Sequence, residues 1–457
     1  MSDQKNLNLD EGPIFPLLMK MSWPSMTAML VFALYNLMDS LWLTRLGPHA
    51  IAGYAVTFPL QMIFVAFGVG TGVGAGSYAA RMFGAGDTEK ARKTAGQVLS
   101  LSLVLGLALM AWVLIMPETI LTIFGATSHT REPALAYIIP VAFGAPSLLF
   151  IMMSNNLLRA EGRPNPAMYI QLVFAVVGAV LDPLLIFGWG PVPALGILGA
   201  AMSAVTGQVV ASLLSLYFLL QPASKYRLRL RHLWPDGSIV YAIYQTGLPS
   251  VFMNIVFGLI VIYYNHILSG YGHLALATLG ICFRINGLVM MVVFGIGHGV
   301  MPMVGFNLGA RLYDRLLETV RVALIFSTIL AGLSGLVLFF AADPILSLFT
   351  TDPALKDVAL PALRIFVSML VLAGPSVVWI NMFIGLGKGL AAMNLLLFRD
   401  ALFLVPSLYL FEAWLGLPGV WLSQPVAVVV GFAVIFFWSR RETSAIASKA
   451  AQPLRGR

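Results

Sequence analysis

The sequence is short of charge. Asp, Glu, Lys and Arg make up 10% of its 457 residues, where a soluble globular domain carries about a quarter. A chain so apolar cannot cover itself with polar surface, and its outer solvent is lipid. It has a single cysteine, Cys282, inside an apolar run, which excludes an internal disulfide and a cysteine metal cluster. Its six histidines form no HExxH and no close pair, so no metal site and no cofactor are expected. No nucleophile or phosphate-binding motif points to an enzyme. The N-terminus, Met1 to Gly12, is polar and acidic. It lacks the basic n-region and small-residue cleavage site of a signal peptide, so the first apolar run is expected to stay in the mature protein.

What the sequence does have is long apolar runs, with 59% hydrophobic residues. The runs are about 20 to 30 residues long, enough to cross the ~30 Å hydrocarbon core as helices and too long for barrel strands. They predict helices near 14–44, 49–79, 92–116, 132–158, 166–189, 194–220, 238–269, 273–305, 317–341, 358–386, 391–412 and 416–439. Twelve crossings put both termini on one side. The loops of that side, with the termini, hold Lys5, Arg81, Lys90, Arg92, Lys93, Arg159, Arg163, Lys225, Arg227, Arg229, Arg231, Arg311, Arg315, Arg321, Lys388, Arg440, Arg441, Lys449, Arg455 and Arg457. The opposite loops hold Arg45, Arg131, Lys356 and Arg364. The excess marks the cytoplasmic side and accounts for the net charge of +8 without nucleic acid. The basic segment Lys225–Arg231 reads the same way, with a lipid head-group contact as the alternative.

A shift of 225 residues aligns the chain with itself. Pro24-Ser25 falls on Pro249-Ser250, Gly47 on Gly272, and Phe58 on Phe283. Gly70, Gly72 and Gly74 fall on Gly295, Gly297 and Gly299, and Gly84-Ala85 on Gly309-Ala310. Glu118 falls on Asp343, Phe124 on Phe349, Asn156 on Asn381, and Gly162-Arg163 on Gly387-Lys388. Six helices per half make the repeats parallel, related by an axis along the membrane normal. The expected fold is all-α: twelve transmembrane helices in two pseudo-symmetric six-helix bundles around a central cavity. The bundles are placed at 1–221 and 238–440, with a cytoplasmic linker at 222–237 and a cytoplasmic tail at 441–457. Parallel halves that enclose a cavity point to a transporter.

Charge inside the membrane is the remaining signal. Asp39 lies in an otherwise uncharged run from Met21 to Thr44, and Asp182 precedes Pro183 in the fifth helix. Asp39 is about five residues, or ~8 Å, short of its outer loop, and Asp182 about seven, so the two lie at similar depth. An ionisable residue at such depth costs several kcal/mol unless paired or protonated and marks a functional site. Two close carboxyls out of water bind a proton readily. For Asp182 the alternative is a cap on a helix restarted at Pro183. Pro24 removes a backbone hydrogen bond from the first helix and is a candidate bending point, with a static kink as its alternative. Candidate cavity residues are Tyr35, Asn36, Met38, Met152, Asn155, Asn156 and Tyr169. Arg284, Arg399 and Asp400 lie in helices of the second half, as functional polar residues or as an ion pair of Arg284 with Asp400. The glycines Gly68 to Gly76 read as close helix packing and not as a dinucleotide fingerprint.

The same positions resemble the multidrug and toxic compound extrusion (MATE) transporters. The first helix reads Pro24, Tyr35-Asn36 and Asp39, and its loop Leu46-Gly47. The second carries Gly70, Gly72 and Gly74 and exits through Gly84-Ala85-Gly86-Asp87, and the fifth carries Leu181-Asp182-Pro183. The sixth opens Gly196 to Ala201, the eighth exits through Gly305 to Ala310, the eleventh has Arg399 with Pro406, and the twelfth opens Gly419-Val420-Trp421. The likeness covers nearly the whole chain and is nearest to the DinF-like branch. Another branch's acidic residue in the seventh helix is missing, since residues 237–313 contain no Asp or Glu. The resemblance implies a monomer in the cell's inner membrane. It implies export of small amphipathic, often cationic organic compounds by antiport, coupled through Asp39 and Asp182. Relatives with a sodium-capable site tend to carry Asn and Thr where this chain has Gly178 and Ala204, so protons are expected and sodium is the alternative. A flippase for lipid-linked oligosaccharide is a further alternative, which would call for a basic cavity.

Overall fold

The computed structural model describes residues 7–189 and 193–451. Lys5, Arg455 and Arg457, used in reading the topology, lie outside the described residues. Among the described residues eleven helices are long and apolar enough to cross a membrane, and a twelfth span is the pair Pro353–Ser368 and Leu370–Gly385, bent by 45° at Met369. The first six spans are α1 (Ile14–Thr44), α2 (Pro48–Gly84), α3 (Thr88–Ile115), α5 (Arg131–Ala160), α6 (Pro164–Phe187) and α7 (Ile197–Leu220), with a short α4 (Pro117–Ile123) between the third and fourth. A 3-10 turn, Leu230–Leu233, lies in the connection to α8 (Gly237–Ser269). Then come α9 (His273–Gly309), α10 (Tyr313–Phe340), the short α11 (Ala342–Ser347), the bent pair α12 (Pro353–Ser368) and α13 (Leu370–Gly385), α14 (Gly389–Leu397), α15 (Val405–Leu415) and α16 (Leu417–Ala450). A π-helical stretch, Phe398–Leu404, joins α14 to α15. The last helix runs to Ala450, beyond the end expected near 439, so the segment after 440 starts as helix.

The backbone repeats at the offset read from the sequence. α2 and α9 are each 37 residues long and α3 and α10 each 28, with equivalent ends 225 apart. Gly47 and Gly272 precede α2 and α9 with φ of 98° and 88°, a conformation that glycine reaches without the Cβ penalty. Ala85 and Ala310 end those helices at φ −74° with ψ −4° and −6°. Inside each half a glycine packs on an asparagine. A Cβ on Gly72 would stand 2.8 Å from Asn156 Nδ2, and one on Gly297 would run into Asn381 Nδ2. Asn156 donates to Met152 O at 3.0 Å and Asn381 to Val377 O at 2.9 Å. Before the last span the offset slips. Gly196 and Gly416, 220 apart, open α7 and α16 with φ 57° and 63°.

Contacts divide the chain into two compact units. One holds Thr27–Val251 with the described residues up to Asn8, the other Leu9–Met26 with the chain from Phe252 onward. These limits differ from the bundles expected at 1–221 and 238–440, because α1 and α8 each pass from one unit to the other. The glycine rows are the physical reason. Gly70 and Gly74 leave space for the α8 backbone, at Gly247 O 2.9 Å and Gly247 N 2.9 Å from where their Cβ atoms would be. Gly295 and Gly299 do the same for α1, at Met26 Cα 2.7 Å and Ser22 N 3.2 Å. Small residues at such crossings let backbones approach closely. The connection after α7 is fastened to the first unit. Gln97 donates to His232 O and Trp234 O at 3.1 and 2.7 Å and accepts from Asp236 N at 3.2 Å, and Ser100 donates to Leu233 O at 2.7 Å.

Candidate functional site

The first unit brings Asp39 and Asp182 together. Tyr35 and Asp39 sit four residues apart on α1, on one helical face, and both are buried while Asn36 and Met38 beside them are exposed. Asp39 is 8% exposed and Asp182, on α6, 0%. The carboxylates lie within electrostatic reach of each other and of the Tyr35 and Tyr137 hydroxyls, and Asp39 also reaches that of Tyr54. Tyr35 is set by the T-shaped contact of its ring with Phe174 at 5.1 Å, and its edge fills the space that a side chain at Gly178 would need. Tyr54 stands edge-on to Tyr137 at 5.1 Å. Ser203 of α7 lies beside Asp182 and donates to Gly178 O at 3.3 Å; apart from Ser203, no group among the described residues hydrogen-bonds the Asp182 carboxylate. A buried carboxyl in that position is costly as an anion, and it is a ready seat for a proton.

The other candidates are elsewhere. Asn155 donates to Gln171 Oε1 at 3.5 Å, and Gln171 precedes Asp182 by eleven residues, about 16 Å along α6. Met152, whose Sδ packs on Gly68, and Asn156, on Gly72, lie next to Asn155 on α5. These three therefore form a separate layer, nearer the other end of the bundle than the carboxylates. Tyr169 is 41% exposed. Pro24 lies inside α1, in the part that packs with the second unit. Of the residues the sequence reading did not single out, Tyr54 and Tyr137 join the acidic pocket. Their signal was slight, a tyrosine within an apolar run.

In the second unit an ion pair of Arg284 with Asp400, one of the two alternatives for these residues, does not form. Arg284 is exposed, and Asp400 is held by its own neighbour, with Arg399 Nε donating to Oδ1 at 2.6 Å and Nη2 to Oδ2 at 2.8 Å. The π-helical stretch carries both residues, and the Arg399 stem lies where a side chain on Gly431 of α16 would be. Tyr264, the equivalent of Asp39, is 1% exposed and donates to Gln424 Oε1 at 3.2 Å.

A third buried carboxyl escaped the sequence reading. Glu161 follows α5 and is 1% exposed. Arg163 Nη1 donates to its Oε1 at 3.1 Å, and Ser224 Oγ and Lys225 N donate to its Oε2, each at 3.0 Å. Burial pushes the Glu161 carboxyl up to about 7, against the lowering pull of Arg163, Ser224 and the Lys225 backbone. Among the described residues no cluster of three His, Cys, Asp or Glu side chains is arranged to hold a metal ion.

Comparison with known proteins places this architecture. The chain is 26% identical over 438 residues to the multidrug export protein MepA of Staphylococcus haemolyticus, covering 95% of this chain and 96% of the relative. A structure described as the outward-facing conformation of a multidrug resistance MATE family transporter of the MOP superfamily matches with a TM-score of 0.92 at 29% identity, covering 98% of this chain and all of the other. A MOP superfamily transporter from Pyrococcus furiosus, described as having a binding pocket of reverse polarity that suggests a different function, matches with a TM-score of 0.91 at 28% identity and 98% coverage. The MatE family profile matches residues 24–184 and 249–410, one block in each half and together well over half of the chain, so this multi-pass membrane protein belongs to the MatE family and is a MATE transporter, not an enzyme.

Proposed function

We propose that the chain exports small organic compounds, amphipathic and often cationic, by antiport against protons. It acts as a monomer in the cell's inner membrane with both termini in the cytoplasm. Multidrug export is what the names of its relatives describe. The observation that carries the coupling is the acidic pocket of the first unit. Two buried carboxyls lie within reach of each other, and one of them has, apart from Ser203, no hydrogen-bond partner among the described residues. The pocket takes up and releases a proton, and Pro24 lets α1, which carries Asp39, bend between the two states. Protons are favoured over sodium because a hard cation needs several oxygen ligands around it. Here Gly178 and Ala204 offer no side-chain oxygen, Asn155 sits in the other layer, and the remaining groups beside the pair are phenols and Ser203.

The test is substrate export from liposomes holding the purified protein, with a pH gradient and a sodium gradient imposed separately. Export driven by the pH gradient, and absent under sodium alone at equal pH, is the expected result. Export driven by sodium alone would overturn the proton reading while leaving the transporter reading intact.

A further inference from the structure

The connection between α7 and α8 carries a cradle that the transport reading does not use. A cavity of about 360 Å³ opens there, lined by Thr88 and Arg92 of α3 and by the segment from Pro222 to Lys225 with Arg227. It sits where α3 begins at Thr88 and α7 ends at Leu220, at the ends of two spans, where the boundary of a bilayer is expected.

Its charge is cationic and built into the fold. Arg92 Nε donates to Lys225 O at 3.3 Å, and the Lys225 ammonium stands 5.8 Å from the centre of the Phe83 ring. The acids nearby are taken up chiefly by side chains outside the cradle. Asp87 is held by Lys90 at 2.9 Å, Asp236 by Lys93 at 3.2 Å, and Glu89 by Arg231 at 2.8 Å and by His232 at 3.2 Å, with Arg92 more distant at 3.7 Å. Glu161, beneath the connection, is satisfied by Arg163, Ser224 and Lys225. Arg227 and Arg229 are exposed and have no carboxylate partner among the described residues. Large apolar side chains stand out beside them: Leu230 is 83% exposed and Trp234 79%. An exposed tryptophan at a helix boundary suits the head-group level of a membrane, and a soluble anion would give Leu230 and Trp234 nothing to meet.

We propose that this cradle binds the phosphate-bearing head group of an anionic phospholipid. Arg227 and Arg229, with Arg92 and Lys225 behind them, take the phosphate, and Leu230 and Trp234 enter the boundary with the acyl chains. Clusters of Lys and Arg directly beside a membrane helix recognise anionic lipid in this way.

The full chain, purified in detergent, is titrated with phosphatidylglycerol and with phosphatidylcholine, and bound lipid is read by native mass spectrometry. Phosphatidylglycerol should be preferred. In Arg227→Gln with Arg229→Gln its affinity should fall about 30-fold, at about fivefold for each cation near an anionic surface, while Arg227→Lys with Arg229→Lys keeps most of it. Both pairs are exposed, and an unchanged melting temperature shows that the fold is kept. Leu230→Ala with Trp234→Ala should also weaken the lipid. Equal binding of the two lipids by the unaltered protein would overturn the proposal, as would unchanged binding in the glutamine pair. Displacement of phosphatidylglycerol by millimolar inorganic phosphate would identify the cradle as a soluble-anion site and overturn it as well.

Discussion

Replacing Asp39 by Asn keeps the size of the side chain and removes its proton, and the loss can be worked from the protons the pocket exchanges. One proton moving down a gradient of one pH unit releases about 1.4 kcal/mol, which sustains at most about a tenfold gradient of an uncharged substrate. If each carboxyl carried its own proton, the ceiling would be about a hundredfold per pH unit, and losing one would leave about tenfold. One shared proton is the expectation. Both groups are buried, Asp182 fully so, they sense each other, and the charge on one carboxyl disfavours charge on the other out of water. The ceiling is then about tenfold, and Asp39→Asn and Asp182→Asn should each reduce it to equilibration. The assay is the steady-state distribution of an uncharged substrate across liposomes with a fixed pH step and the membrane voltage clamped. Expression and melting temperature near those of the unaltered protein exclude misfolding. An Asp39→Asn protein that sustains the unaltered gradient refutes coupling through this pair, and one that still sustains about a tenfold gradient per pH unit, where the unaltered protein sustains about a hundredfold, refutes sharing.

Gly72→Ala should lower thermal stability in detergent by about 1–3 kcal/mol, because its Cβ would come within 3.0 Å of the Met152 carbonyl oxygen and 2.8 Å of Asn156 Nδ2; an unchanged melting temperature would contradict the packing described. Gly178→Asn, which adds an oxygen beside Asp182, should instead displace Tyr35 and cost a similar amount, with transport lost and no sodium dependence gained; sodium-driven export by this variant would show the pocket to be roomier than described. Glu161 gives a pH test. Its carboxyl stands at about 7 in the folded protein against 4.5 ordinarily, so between those values the folded state holds a proton that the unfolded chain has released. Its contribution favours the fold fully below about 4.5 and is lost as pH rises through about 7. The melting temperature should therefore fall more steeply from about pH 5 to about pH 7.5 than in Glu161→Gln, and equal slopes would refute this account.

The spans and the repeat were legible because lipid leaves the backbone few choices. An apolar run of sufficient length must be helix, and glycines such as Gly47 and Gly272 recur where the chain must turn in the same way. The break at Met369 was not legible, since α12 and α13 together read as one apolar run. The acidic pair was visible because a lone carboxylate in such a run is costly to keep in lipid without a use for it. Its neighbours were not, because Tyr54 and Tyr137 differ from packing aromatics by one hydroxyl each. Asn155 and Asn156 were grouped with the carboxylates because a sequence shows that a polar residue is in the membrane more clearly than it shows at what depth. Glu161 was hidden by its place in a loop, where a carboxylate is ordinarily solvated. Its burial depends on the connection at 224–226 folding back over it. The partner of Asp400 was misjudged because neighbouring residues on an α-helix do not face each other, whereas here the Arg399 side chain turns back along the π-helical stretch to its own neighbour.

The two halves diverge where the chemistry lies. Ser203 donates to Gly178 O in the first half, and Ser423, 220 residues later, donates to Ser407 O in the second, so the helix crossing is kept. The acids are not. At an offset of 225 Asp39 becomes Tyr264 and Asp182 becomes Ser407, while at 220 Ala204 becomes Gln424, which accepts from Tyr264. The acid that the second half does carry, Asp400, already has a cation in Arg399, held by two hydrogen bonds. The Arg399 guanidinium keeps its charge, because arginine does not give up its proton. The second half therefore has an ion pair between neighbours where the first has two buried carboxyls. On the proposed coupling, a duplicated fold keeps the exchangeable group in one half only, while most of the backbone repeat is retained.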